Sequence, residues 1–215
     1  MNRIEKDLRI PNGFILFLSG VPGVGKTTIS YELLKRINSF RIIEETDIIR
    51  EILRGYNQYL KYDLNIEKNI FKDINISDHT VLLDYDNAKK QCILMKKSIE
   101  HIILRQQRKG IATIINGVHV IPEILYDIIS DNFVFINLYV TDENEIYNRI
   151  VNRNPSSYML EHIPFIYKSN TELFSNTEKV ISMCNYNNIF NINVTNLSVD
   201  DTIELCVRKI KKYLK

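Results

Sequence analysis

The chain has 215 residues, 45% hydrophobic and 25% charged, which suits one folded α/β domain, at most with a small lid, and argues against a disordered segment. Its formal net charge of +2 lacks the strong basic bias of a non-specific nucleic-acid binder. Cys92, Cys184 and Cys206 are scattered and fit no metal-ligand spacing, so they read as ordinary thiols of a reducing compartment.

The N-terminal MNRIEKDLRIPNG holds no apolar signal core, and no apolar run reaches the length of a membrane span. The expected location is the cytoplasm, with no membrane partner. The first predicted strand is Phe14–Leu18, FILFL. Behind it, Gly20-Val21-Pro22-Gly23-Val24-Gly25-Lys26-Thr27 fits G-x-x-x-x-G-K-[ST] and opens a predicted helix over Thr28–Ile37. Only seven glycines occur in the chain, and Gly20, Gly23 and Gly25 are three of them. Glycines let the backbone turn its N–H groups inward and leave no Cβ between backbone and phosphate. The helix N-terminus at Lys26 to Thr28 adds orphan N–H donors and a favourable dipole. Lys26 can reach the β- and γ-phosphates, and the Thr27 hydroxyl can ligate Mg²⁺. The expected ligands are therefore ATP and Mg²⁺.

A second strand, Arg41–Ile43, leads into EETDIIREILR, Glu44–Arg54. A carboxylate at the C-terminal edge of a parallel sheet lies at the ligand crevice. Asp47 there could take a proton from an attacking hydroxyl, orient it, or hold Mg²⁺ through water. Arg50 and Arg54 share a helical face and could clamp an anion. The plainer alternative is a helix cap at Thr46 or Asp47 followed by a solvated charged face. Residues 53–84 are polar, tyrosine-rich and irregular, and read as an acceptor-side insertion. Tyr85–Lys109 carries Ala88, Cys92, Met95, Ile99, Ile102 and Ile103 at helical spacing, with Gly110 as the stop.

The third strand, Ile111–Ile115, runs into Asn116-Gly117 and then His119, which would stand near an acceptor phosphate or carboxylate; a structural histidine is the alternative. Phe133–Val140 is the fourth strand. Asp142 and Glu145 mark a helix start running to about Asn152. Arg149 and Arg153 lie at i,i+4 there and could close over a transferring phosphate, or form a solvated basic face. Ile189–Val194 is the last strand, and Val199–Leu214 closes the chain with Ile203, Val207 and Ile210 on one face. This alternation implies a parallel sheet covered on both sides.

GVPGVGKTTIS, TDIIRE and especially GVHVIP, in this order, resemble the 2-phosphoglycerate kinase family over roughly residues 14–174. SSYMLEHIPFIYKSNTELF is similar to that family's segment after the lid, where a tyrosine stretch precedes a helix. The resemblance implies an α/β P-loop kinase fold: a doubly wound parallel sheet of about five strands, order 2-3-1-4-5. A helical acceptor-side insertion at 53–84 and a short arginine lid at 142–170 would complete it. It also implies ATP-dependent transfer to a hydroxyl of a small, anionic acceptor. Lys26, Asp47, Arg149 and Arg153 would then be catalytic, and Asp47, Arg50, Arg54, Asn116 and His119 would face the acceptor. Two features depart from the family: Asn116 stands where it has Glu, and the N-terminal extension of some members is missing. Three alternatives stay open: a kinase of a sugar acid, nucleoside-like natural product or antibiotic; a zeta-toxin-type nucleotide-sugar kinase; and a nucleotide-binding regulator without transfer. The partner expected is a small molecule, not nucleic acid, with a homodimer left open.

Overall fold

The computed structural model describes residues 8–58, 84–128, 132–184 and 187–214. Among them five strands, β1 (Ile15–Ser19), β2 (Phe40–Glu45), β3 (Ala112–Asn116), β4 (Phe133–Tyr139) and β5 (Ile189–Asn193), form one parallel sheet in the order β2-β3-β1-β4-β5. This is the order the family resemblance implied. Seven helices accompany them among the described residues: α1 (Lys26–Arg36), α2 (Thr46–Gln58), α3 (Tyr85–Arg108), the short α4 (Pro122–Leu125), α5 (Glu143–Arg153), α6 (Ile163–Cys184) and α7 (Val199–Tyr213).

β1 is central and wholly buried, because its apolar residues serve both faces. Leu16 and Leu18 join Ile29 and Leu33 of α1, Ile146 and Ile150 of α5, and Ile203, Val207 and Ile210 of α7. Ile15 and Phe17 face the other way, toward Cys92, Met95, Ile99 and Ile103 of α3 and Leu173 and Val180 of α6. Strand alternation thus gives the sheet two cores, one on each face.

The helix expected over Tyr85–Lys109 is α3, Tyr85–Arg108, stopped where Gly110 suggests. Asp84 caps it by accepting from the Asp86 N–H, and Gly110 ends it at φ +64°. Asp142 caps α5 through the Asn144 N–H, and Ser198 caps α7 through the Asp201 N–H. β2 is longer than expected, because Glu44 and Glu45 keep pairing with β3 after the apolar run ends. Of the segment 53–84, residues up to Gln58 continue α2, and residues 59–83 lie outside the described residues. The expected lid, 142–170, comprises α5, a 3₁₀ turn at Tyr158–His162 and the start of α6.

The 22-residue α6 carries no regular periodic signal, since Ser169, Asn170 and Thr177 interrupt its buried stripe. Asn170 closes the end of β4, because its Oδ1 accepts from the Val140 N–H while its Nδ2 donates to the Val140 carbonyl. No described helix is long and apolar enough to cross a membrane.

Phe17 is fully buried between Phe133 and Phe135, with ring centroids 5.8 and 5.6 Å away. Phe17→Ala is expected to lower unfolding free energy by about 3–5 kcal/mol. Denaturant titration checks this; a loss below about 1 kcal/mol would contradict the two-core packing.

Candidate active site

Between β1 and α1 the chain turns through Gly20, Gly23 and Gly25 at φ +142°, +86° and +97°. Gly25 is the N-cap of α1, and no side chain caps the helix. Its first intrahelical bond runs from the Ile29 N–H to the Gly25 carbonyl, so the N–H groups of Lys26, Thr27 and Thr28 have no helical acceptor. No acidic residue stands in the first turn. This is a built anion site, with positive dipole and free donors facing one way. Lys26 adds a charge beneath the loop, its Nζ donating to the Val21 carbonyl at 2.9 Å. Burial pulls Lys26 down to about 8, with the Asp47 carboxylate opposing that shift and Arg153 adding to it.

A cleft of about 510 Å³ opens over this floor. Residues from Pro22 to Ile29 line it, together with Glu45, Asp47, Asn116, Gly117 and Val118. Glu145, Arg149, Ile150, Asn152, Arg153 and Met159 of the α5 region line it too, as do Leu197, Val199 and Thr202. Pro22 to Thr28, Asp47, Asn116, Arg149 and Arg153 are therefore brought together as the motifs suggested. Gly20 and Val21 lie behind the loop, against a smaller recess bounded by Tyr85, Ala88 and Leu173. Arg50, Arg54 and His119 are not among the residues lining the main cleft.

His119 is fully buried, and its two ring nitrogens are engaged. Nε2 faces Gln91 Oε1 at 3.1 Å and Nδ1 faces the Thr46 hydroxyl at 3.2 Å. With Gln91 Oε1 accepting from Nε2–H, Nδ1 accepts from Thr46. Gly117 fits the same knot: at its φ of +149°, a Cβ would overlap Thr46 Oγ1. The Gly-Val-His stretch therefore locks the first residue of α2, and with it Asp47, whose Oδ1 is 3.7 Å from His119 Nδ1. Burial pushes His119 down to about 4; Asp47 opposes that shift, and Arg50 and Lys26 add to it.

Arg50 is buried, with Nη2 2.9 Å from Glu51 Oε1 and Nη1 3.6 Å from Asp47 Oδ1. Arg54 also pairs with Glu51, at 2.9 Å. Asn116 does not extend into the cleft as a free amide: its Nδ2 donates to Ser30 Oγ at 2.8 Å, and Ser30 in turn donates to the Lys26 carbonyl.

The two lid arginines differ. Arg149 donates to the Val24 carbonyl at 3.0 Å, to the Val194 carbonyl at 2.6 Å, and to Glu145 Oε1 at 2.6 Å. It ties the glycine loop to the chain leaving β5. Arg153 lines the cleft, is exposed, and makes no hydrogen bond or ion pair among the described residues.

Sequence reasoning missed Glu45, Glu145, Met159, Leu197, Val199 and Thr202 as cleft residues. The one signal at Glu45 is its place just before Thr46-Asp47 at a strand end, which a solvent-facing residue would share. The apolar members carry no chemical signature. For a metal, the hard oxygen donors are the exposed Thr27 hydroxyl and the Glu45 and Asp47 carboxylates, which suit Mg²⁺. Among the described residues no group of three or more His, Cys, Asp or Glu could hold a metal by itself. Retention of Mg²⁺ would thus depend on phosphates, which is the usual mode for that ion.

Two measurements check this geometry. His119 in the folded chain resists protonation until about pH 4, whereas unfolding frees it to titrate near 6.5. The unfolded state thus binds more protons between those values, so stability is complete above about 6.5 and falls as pH drops toward 4. Denaturation midpoints across that window should fall more steeply for wild type than for His119→Gln; parallel curves would contradict the buried neutral ring. Arg149→Ala should cost about 1–3 kcal/mol of stability, by losing charged hydrogen bonds, while Arg153→Ala should leave it unchanged. Equal melting shifts in the two variants would contradict the assignment.

No protein-family model matches the chain. It is 24% identical over 208 residues to 2-phosphoglycerate kinase of Methanococcus vannielii, covering 91% of this chain but 64% of that enzyme. Against the 2-phosphoglycerate kinase of Pyrococcus horikoshii it is 25% identical over 219 residues, 95% of this chain and 66% of the enzyme. The chain thus spans a little under two thirds of the length of these two relatives. Mevalonate-3-phosphate 5-kinase of Thermoplasma acidophilum is 26% identical over 163 residues, 71% of this chain and 77% of the enzyme. Among solved structures, thymidylate kinase from Candida albicans superposes with a TM-score of 0.56 at 11% identity, covering 95% of this chain and 93% of the other. A gluconokinase from Sinorhizobium meliloti gives 0.55 at 11%, covering 95% and 94%. The chain has the fold of the P-loop kinases, and in sequence it is a relative of the 2-phosphoglycerate kinases and of mevalonate-3-phosphate 5-kinase.

Proposed function

We propose that the chain is an ATP-dependent kinase, working in the cytoplasm, that moves the γ-phosphate to a free hydroxyl of a small phosphorylated hydroxy-carboxylate. The observation that carries the reading is the cleft floor: an uncapped helix N-terminus and the buried Lys26, with Asp47 lining the same cleft and acting on the lysine's charge. Phosphoryl transfer asks mainly for positioning and charge neutralisation, which this inventory supplies. The acceptor class follows from the relatives. 2-Phosphoglycerate and mevalonate 3-phosphate each combine a carboxylate, a phosphate monoester and a primary hydroxyl. 2-Phosphoglycerate is the first candidate.

In this reading the α1 N–H groups and Lys26 hold the β- and γ-phosphates. Thr27 is the protein's own ligand to Mg²⁺, which neutralises phosphate charge when bound. Asp47 accepts the hydroxyl proton as the new O–P bond forms and the bond from Pγ to the ADP oxygen breaks. Arg153, uncommitted at the cleft wall, meets the charge that develops on the transferring group. Arg149 keeps the loop and the nucleotide end of the cleft in register. Arg50 and His119 act behind Asp47. A nucleotide-binding regulator without transfer is the second reading, favoured by Asn116, whose amide is committed to Ser30.

A coupled ADP-release assay separates the two. It should show Mg²⁺-dependent release stimulated by 2-phosphoglycerate or mevalonate 3-phosphate more than by an unphosphorylated sugar acid such as gluconate. No stimulation by any of these acceptors would leave the regulator. Asp47→Asn should lower kcat by about 10²–10⁴-fold, the usual worth of a general base, with ATP affinity little changed. Retained kcat with collapsed ATP binding would contradict its role. Arg153→Ala should lower kcat by about 10²-fold.

A further inference from the structure

We propose that the small recess beside the glycine loop is a pocket for an alkyl branch of the acceptor, so that the preferred substrate is a phosphorylated hydroxy-carboxylate carrying a methyl-sized side group. The inference rests on the kinase reading above and narrows its acceptor class.

The place of the recess comes first. Pro22 and Val118 line both the recess and the main cleft, so the two spaces share a border. Pro22 belongs to the loop that would cradle the phosphates. Val118 stands between Gly117, which packs on Thr46, and His119, whose Nδ1 is 3.7 Å from Asp47 Oδ1. The border therefore lies one residue from the knot that holds Asp47. A general base must be within hydrogen-bond reach of the proton it takes, so the acceptor hydroxyl sits at Asp47. The carbon skeleton a few bonds behind that hydroxyl then comes within reach of the border.

The chemistry of the lining decides what enters. Val21, Ala88 and Leu173 are buried there with aliphatic side chains. The two polar members are engaged elsewhere: the Tyr85 hydroxyl donates to Glu123 Oε2 at 3.1 Å, and Ser169 is not free. A carboxylate, phosphate or hydroxyl moving in would lose its water and find no uncommitted side-chain partner, which is costly. The recess holds about 20 Å³, room for one group the size of a water or a methyl. A water needs two or more polar partners, and these side chains offer none. An apolar branch needs none, and it restores the dispersion contacts that an empty space forfeits. Of the two acceptors named above, mevalonate 3-phosphate carries a methyl on the carbon that bears its phosphate, and 2-phosphoglycerate carries no alkyl branch. Sequence likeness puts 2-phosphoglycerate first; the recess is an independent criterion, and it favours the branched type.

The test compares acceptors that differ by one methyl. Initial rates are measured on the full chain with ATP and Mg²⁺, using mevalonate 3-phosphate, its counterpart lacking the C3 methyl, and 2-phosphoglycerate. Wild type should show kcat/KM about 10-fold or more higher for mevalonate 3-phosphate than for the counterpart, the low end of what one such group is worth in an apolar pocket. Ala88→Val grows into the recess and should bring that ratio close to one, with thermal melting as the check that the variant is folded. Equal kcat/KM for the two compounds in wild type overturns the assignment, and that comparison suffices if Ala88→Val does not fold. A ratio that survives in folded Ala88→Val overturns it too, because the methyl is then read elsewhere. So does a higher kcat/KM for 2-phosphoglycerate than for mevalonate 3-phosphate. Each of these results leaves the kinase reading standing. Turnover of none of the three acceptors overturns the kinase reading itself, and this assignment with it.

Discussion

An uncompensated positive end organises the whole structure. Three N–H groups at the start of α1 have no helical acceptor, no side chain caps them, and Lys26 is buried beside them, its ammonium donating to a neutral carbonyl. Burying a lysine costs stability, which is why Lys26 sits near 8 rather than 10.5. An anion in the cleft would offset that cost. The glycines make the arrangement possible by letting the loop pass close over the lysine, and the two cores fix β1 and α1 so that it cannot relax.

Around that centre the polar contacts act as rivets. Asn116 and Ser30 bind β3 to α1. Gly117, Thr46, His119 and Gln91 bind the turn after β3 to the start of α2 and to α3. Arg149 binds the glycine loop to the end of β5. Each joins elements that surround the cleft, and each uses buried or half-buried groups whose loss would leave a partner unsatisfied. The result is a cleft in which Arg153, Thr27 and Glu45 are among the groups with no hydrogen bond or ion pair to the described residues.

The sheet was legible because buried parallel strands are continuous apolar runs, as in FILFL and FVFINLYV, and α3 because its stripe is regular and Gly110 marks its end. The phosphate cradle was legible because its chemistry admits few residue types. α6 escaped the periodicity reading, though the family resemblance implied a helix after the lid, because Asn170 and Thr177 break its stripe while bonding to backbone carbonyls at Val140 and Leu173. His119 was legible as special but not in its role, since only three-dimensional packing reveals that its partners are Thr46 and Gln91. Glu45 escaped because a charged residue at a strand end looks like solvent-facing surface until the register sets it beside Asn116. The arginines at 149 and 153 share a helix face, yet one is bonded to two carbonyls and the other to none, a difference that spacing alone does not encode.

The central claim is that the start of α1 and Lys26 are a polyphosphate site. Calorimetric titration with AMP, ADP and ATP, in wild type and Lys26→Ala, tests it most directly. Affinity should rise from AMP to ADP to ATP in wild type, and that rise should collapse in Lys26→Ala while AMP binding is unchanged. Equal affinity of wild type for all three nucleotides, or a rise that survives in Lys26→Ala, would contradict it.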